Sequence, residues 1–109
     1  MTQYGRQGTI VARPGQGEAL KSIMLESAER ADEMPGCRLY LIAARKEQPD
    51  AVLITEVWDS AEAHAASLNI PAVIATIAKA RPLIERVEGF AIDVLGGYGL
   101  TPRPGEVNS

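Results

Sequence analysis

His64 stands six residues beyond Trp58, and the two are the only histidine and the only tryptophan of a 109-residue chain. An imidazole can take up and release a proton near neutral pH, and an indole can wall a pocket and stack a planar ring. Glu56 precedes the tryptophan by two residues, so on a strand its carboxylate lies on the same face, about 7 Å away. From there it would hold the indole edge or a substrate hydroxyl. Ile54, two residues earlier again, would extend the apolar wall. Together these residues suit a proton abstraction inside an aromatic-walled pocket. Each also has a plainer reading: His64 as a core imidazole bonded to backbone or to Ser67, Trp58 as core filling, and Glu56 as the ion-pair partner of Arg6 or Arg45.

The elements that must position them follow from periodicity. Val52, Ile54, Glu56 and Trp58 share one face of a strand over residues 51–58, and Leu53, Thr55 and Val57 share the other. Asp59 reads as the N-cap of a following helix, with Glu62 three residues on. In that helix Ala61, His64, Ala65 and Leu68 recur on one side, which aims the imidazole inward and brings Leu68 to the pocket. The early position of His64, near the positive end of the helix dipole, would favour the neutral ring that a general base must be. After Asn69-Ile70-Pro71, a second helical stripe of Val73, Ile74, Ile77 and Ala80 runs to Arg81-Pro82, and Ile74 is expected to close the pocket.

The remaining elements frame this junction. Residues 7–13 alternate as a strand, and Leu20, Ile23, Met24, Ser27, Ala28 and Ala31 form an amphipathic helix that stops at Pro35-Gly36. Residues 37–46 form a strand that is partly apolar on both faces. The turn Glu47-Gln48-Pro49-Asp50 makes a hairpin of it with residues 51–58. A short further turn is expected over Leu83 to Val87, then a last strand over Phe90 to Leu95. The order is βαββαβ, an α+β ferredoxin-like fold with an antiparallel sheet and helices on one face. One domain spans residues 1–97, and residues 98–109 read as a loosely packed tail. The face of the sheet away from the helices is apolar, so pairing with a second copy through that open face is expected.

Composition narrows the partners. A net charge of −3 without a basic run argues against a nucleic-acid surface. A lone cysteine, Cys37, excludes an internal disulfide and suits a reducing, cytoplasmic setting. No run reaches membrane-spanning length. One histidine without a carboxylate cluster gives no three-ligand metal site. Gly96-Gly97-Tyr98-Gly99 follows the last strand with no helix to receive a phosphate.

The run Glu56-Val57-Trp58-Asp59-Ser60-Ala61-Glu62-Ala63-His64-Ala65-Ala66-Ser67-Leu68 is similar to the strand-to-helix motif of the antibiotic biosynthesis monooxygenase superfamily. So are the Pro35-Gly36-Cys37 approach to the second strand and the Arg81-Pro82-Leu83-Ile84 run. The resemblance covers about residues 6 to 97. It implies a small dimeric α+β barrel. It also implies activities that include cofactor-free oxidation of anthrones and quinols by dioxygen, haem degradation, and handling of a quorum-sensing sugar phosphate. Trp58 matches the family's tryptophan at the end of the third strand. The anthrone oxygenases carry an asparagine where this chain has Ile54, and the haem-degrading members carry one in the first strand, near Gly8 here. His64 aligns either with the family's helical histidine or with a tyrosine of the anthrone enzymes.

The expected function is therefore a cofactor-independent monooxygenase acting on a small electron-rich aromatic of quinol, phenol or anthrone type with dioxygen. No metal or cofactor is called for. His64 and Trp58 would be catalytic, and Glu56, Ile54, Leu68 and Ile74 would bind substrate. The alternative is a non-catalytic, dimeric barrel that holds a small ligand or serves a structural role.

Overall fold

The computed structural model describes residues 2–102. Four strands, β1 (Gln3–Ala12), β2 (Cys37–Arg45), β3 (Gln48–Trp58) and β4 (Ile84–Val94), form one antiparallel sheet in the order β2-β3-β1-β4. Helix α1 (Gly17–Glu29) links β1 to β2, and α2 (Ala61–Ser67) and α3 (Pro71–Ala80) link β3 to β4. Single 3-10 turns at Ala31–Glu33 and Arg81–Leu83 finish α1 and α3. This is the ferredoxin-like α+β arrangement. The sheet is open, so a barrel would need a second sheet.

Alternation decides what each strand offers the helices. Tyr4, Ile10 and Ala12 of β1 lie in register with Trp58 and Val52 of β3 and with Ile84 of β4, and Tyr40 and Ile42 of β2 lie opposite Glu56 and Ile54. Helix α1 sends Leu20, Met24 and Ser27 down onto this face, at the spacing of one helical stripe. Ala12, Leu20, Met24, Val52 and Ala80 form the buried centre, with Ile10, Ile42 and Ile54 packed against it. The start of α1 has no side-chain cap of its own. Asp50 supplies one from β3, accepting from the Gly15 and Gly17 N–H groups and placing a negative charge where the helix dipole favours it.

Three sequence expectations need correction. The hairpin turn is Lys46-Glu47, because β3 begins at Gln48, which pairs with Arg45. Pro49 is tolerated in the strand because the register shifts between Ala44 and Arg45, and proline is accepted at such irregularities. The last strand starts at Ile84, so residues 84–87 extend an edge strand where a turn was expected. The first strand begins at Gln3 and includes Gly5 and Gly8. A Cβ at Gly5 would lie 2.8 Å from an Ile92 side-chain carbon, so glycine there reflects crowding by β4 and not a turn.

On the face away from the helices, Leu41 is 53% and Phe90 59% exposed. After β4 the chain reaches the opposite edge of the sheet, where the Thr101 N–H donates to the Arg38 carbonyl at 3.0 Å. Arg38 Nη1 in turn donates to the Pro102 carbonyl at 2.8 Å. Residues 103–109 of the expected tail lie outside the described residues.

Candidate active site

The bend between β3 and α2 sets the site, and it is built by Ser60 where the sequence suggested Asp59. Ser60 keeps an extended backbone, and its Oγ accepts from the Ala63 N–H at 3.1 Å, the usual N-cap bond. Asp59 is engaged elsewhere. Its two carboxylate oxygens accept from Arg38 Nε and Nη2, both at 2.7 Å, a forked ion pair that ties the bend to β2. The Asp59 N–H donates to the Gly36 carbonyl at 2.9 Å. Gly36 has φ +85°, and a Cβ there would stand 2.8 Å from the Ala63 methyl. Glycine is thus required both for the turn and for the approach of α2.

This bend stacks three rings. His64 lies edge-on to Trp58 with centroids 5.5 Å apart, and against Tyr4 of β1 with centroids 5.7 Å apart. Arg6 Nη1 donates to the Tyr4 hydroxyl at 3.0 Å. Trp58 is 1% exposed, and its Nε1–H donates to Glu56 Oε1 at 3.0 Å. The same carboxylate oxygen is 3.8 Å from His64 Nε2. The Ser67 hydroxyl donates to the His64 backbone carbonyl at 2.6 Å. The imidazole ring itself is hydrogen-bonded to no described residue. It is free to meet a ligand, with a carboxylate beside it to hold the cation formed when it takes a proton.

His64, Trp58, Glu56, Ile54 and Leu68 all line one cavity of about 440 Å³ between the sheet and the helices. This volume falls in the range of small-molecule sites. Ile74 does not join them. It is 52% exposed on the outer side of α3, and Val73, Thr76 and Ile77 face the cavity. The stripe expected along α3 is real, but Ile74 sits about a third of a turn from its centre. Met24, Ser27 and Met34 add to the lining from the α1 side, and Ile10, Ile84 and Val87 from the sheet.

Nothing in the spacing of Tyr40 distinguishes it from an ordinary packing residue, yet it also lines this cavity. Burial pushes its phenol up to about 12, with Glu56 and Cys37 adding to the rise and the Ser27 hydroxyl beside it pulling the other way. A buried polar residue, Ser27, inside the apolar stripe of α1 was the available signal that something polar lies opposite. Cys37 borders the cluster, and burial, then Glu56, push its thiol up to about 11. Among the described residues, no three His, Cys, Asp or Glu side chains gather as a metal set, and no helix is long and apolar enough to cross a membrane.

A model of the antibiotic biosynthesis monooxygenase family matches residues 4–79. Among solved structures, a protein from Chloroflexus aurantiacus J-10-fl, provisionally described as an antibiotic biosynthesis monooxygenase, is 45% identical. The match covers 90% of this chain and 98% of that one, with a TM-score of 0.83. A protein from Deinococcus radiodurans with the same provisional description is 25% identical over 91% of this chain and 99% of its own, with a TM-score of 0.75. The fold is also that of an asparagine-to-alanine variant of SnoaB, a cofactor-independent oxygenase from Streptomyces nogalater. That structure is 14% identical over 88% of this chain and 96% of its own, with a TM-score of 0.74. No functionally curated protein matches the sequence.

Proposed function

Because the chain belongs to the antibiotic biosynthesis monooxygenase family, we propose that it oxidises a small electron-rich aromatic of phenol, quinol or anthrone type with dioxygen, without a cofactor. The observation that carries this reading is the cavity in which an imidazole with an uncommitted ring lies edge-on to an indole and beside a carboxylate.

In this mechanism His64 takes the proton from the substrate hydroxyl, and the imidazolium is held by Glu56, which Trp58 keeps in place. The substrate anion is electron-rich enough to pass an electron to dioxygen inside the apolar walls of Ile54, Leu68 and Val73. One oxygen atom then becomes a carbonyl on a ring carbon. The other leaves as water with the two hydrogens that the substrate gives up, so no outside reductant is needed. The protein contributes a base, a dry cage and a flat wall. Its setting is the cytoplasm, where a lone Cys37 stays reduced. The working unit is a homodimer joined through the open sheet face that carries Leu41 and Phe90.

The test is oxygen uptake with naphthols, hydroquinones and anthrones in the absence of flavin and metal. His64→Ala should lower turnover by about 10²- to 10⁴-fold while circular dichroism stays unchanged. Saturable aromatic binding with no oxygen consumption would assign the cavity to a binding module instead.

A further inference from the structure

We infer that Tyr40 is a second catalytic group of the cavity, a hydrogen-bond donor to the aryl oxygen that His64 deprotonates, so that the preferred ligand is a free phenol gripped from two sides. This rests on the reading of His64 as the base.

The placement comes from two strands and a helix. Tyr40 on β2 lies in register with Glu56 on β3, which puts the two residues about 5 Å apart across the ladder. Glu56 is in turn 3.8 Å from His64 Nε2 on α2. Tyr40 and His64 thus flank one carboxylate, one from the neighbouring strand and one from the helix above, and both face the same cavity. A hydroxyl entering over Glu56 meets both.

The chemistry of the surroundings decides which phenol loses its proton. The titratable and charged groups around the Tyr40 hydroxyl and its cavity are Glu56 from β3, Cys37 from its own strand, His64 from α2 and Arg81 at the end of α3, with the Ser27 hydroxyl from α1 beside them. Burial, the Glu56 carboxylate and Cys37 raise the Tyr40 phenol to about 12, against the pull of Ser27. An ordinary phenol ionises near pH ~10. In the proposed pose the ligand's hydroxyl lies between Tyr40 and the His64 ring, so the proton that leaves is the ligand's. Its O–H bond breaks, the proton passes to the His64 ring, and the electron pair stays on the ligand oxygen. Tyr40, still protonated, donates to that oxyanion. Hydrogen bonds to a charged oxygen are stronger than those to a neutral one, so the contact favours the ionised ligand over the resting one.

The experiment uses 4-nitrophenol as an optical probe, because its anion absorbs visibly where the neutral form does not. Bound to the unaltered protein, it should ionise at a lower pH than free in solution. In Tyr40→Phe the midpoint should rise by about one pH unit, a tenfold loss of preference for the anion, and nitrobenzene, which lacks the hydroxyl, should bind as before. Tyr40→3-fluorotyrosine keeps the ring, strengthens the donor and should move the midpoint the other way. A midpoint that neither variant moves, an equal loss of both ligands in Tyr40→Phe, or failure of nitrophenol to bind at all would overturn the proposal. Oxygen uptake is measured separately. If no phenol is oxidised, the enzymatic reading falls while the titration still reports on Tyr40.

Discussion

Glu56 is where the site's polar contacts meet. It accepts the Trp58 indole N–H, faces His64, and bears on both Tyr40 and Cys37. Trp58→Phe keeps a ring in the wall but removes the donor to a mostly buried carboxylate. It should cost about 1–2 kcal/mol in urea unfolding. Cys37 sits at the edge of the same cluster, and its raised thiol (about 11) keeps it protonated, hence a poor nucleophile. Iodoacetamide should alkylate it in the native protein far more slowly than a free cysteine at mildly alkaline pH, and at the ordinary rate in urea. The sequence pointed to His64, Trp58 and Glu56 because rare side chains at period two and helical spacing identify themselves. It could not single out Tyr40 or set Ile74 aside. Alternation assigns a residue to a face, but only packing shows which part of that face is hollow.

At the level of elements, the strand-to-helix bend divides its work between adjacent residues. Ser60 caps α2, and Ser60→Ala should cost about 1 kcal/mol. Asp59→Ala should cost more, about 2–3 kcal/mol, because it strips the forked partner from Arg38, which is only 8% exposed. Denaturation of the two variants side by side checks the order. Both residues are plausible caps by composition, and a contact between β2 and the bend selects between them. The last strand was hidden in the sequence for a similar reason. Over 85–88 it reads Glu-Arg-Val-Glu, because β4 lies at the sheet edge, paired only with β1. There Arg86 is satisfied by Glu85 and Glu88 on its own strand and needs no apolar neighbours. The long helix, the Pro35-Gly36 stop and the βαββαβ order were legible because strong apolar periodicity and strong breakers agree.

For the whole molecule, the open sheet face, where Leu41 and Phe90 stand exposed, is left to explain. If it joins two copies, as proposed, a charge placed on it would be buried without a partner. Phe90→Glu should convert a dimer to a monomer in size-exclusion chromatography with light scattering. Stability should also depend on alkaline pH. The folded protein holds protons on Cys37 and Tyr40 up to about 11 and about 12, above the ordinary thiol and phenol values of 9.0 and 10.0. The native state therefore binds more protons than the unfolded one in that range. The stability from these two groups is fully present below pH 9 and lost as pH rises through their folded values. Urea midpoints should fall from pH 9 upward, less steeply in Tyr40→Phe. Finally, the chain carries a single indole, and that indole is a wall of the cavity, shielded from water. All tryptophan fluorescence of the protein thus originates beside the cavity. Under the proposed oxidation, quinone products, which accept electrons from excited indoles, should quench it as they form, so that occupancy and turnover would be followed by emission with no label attached.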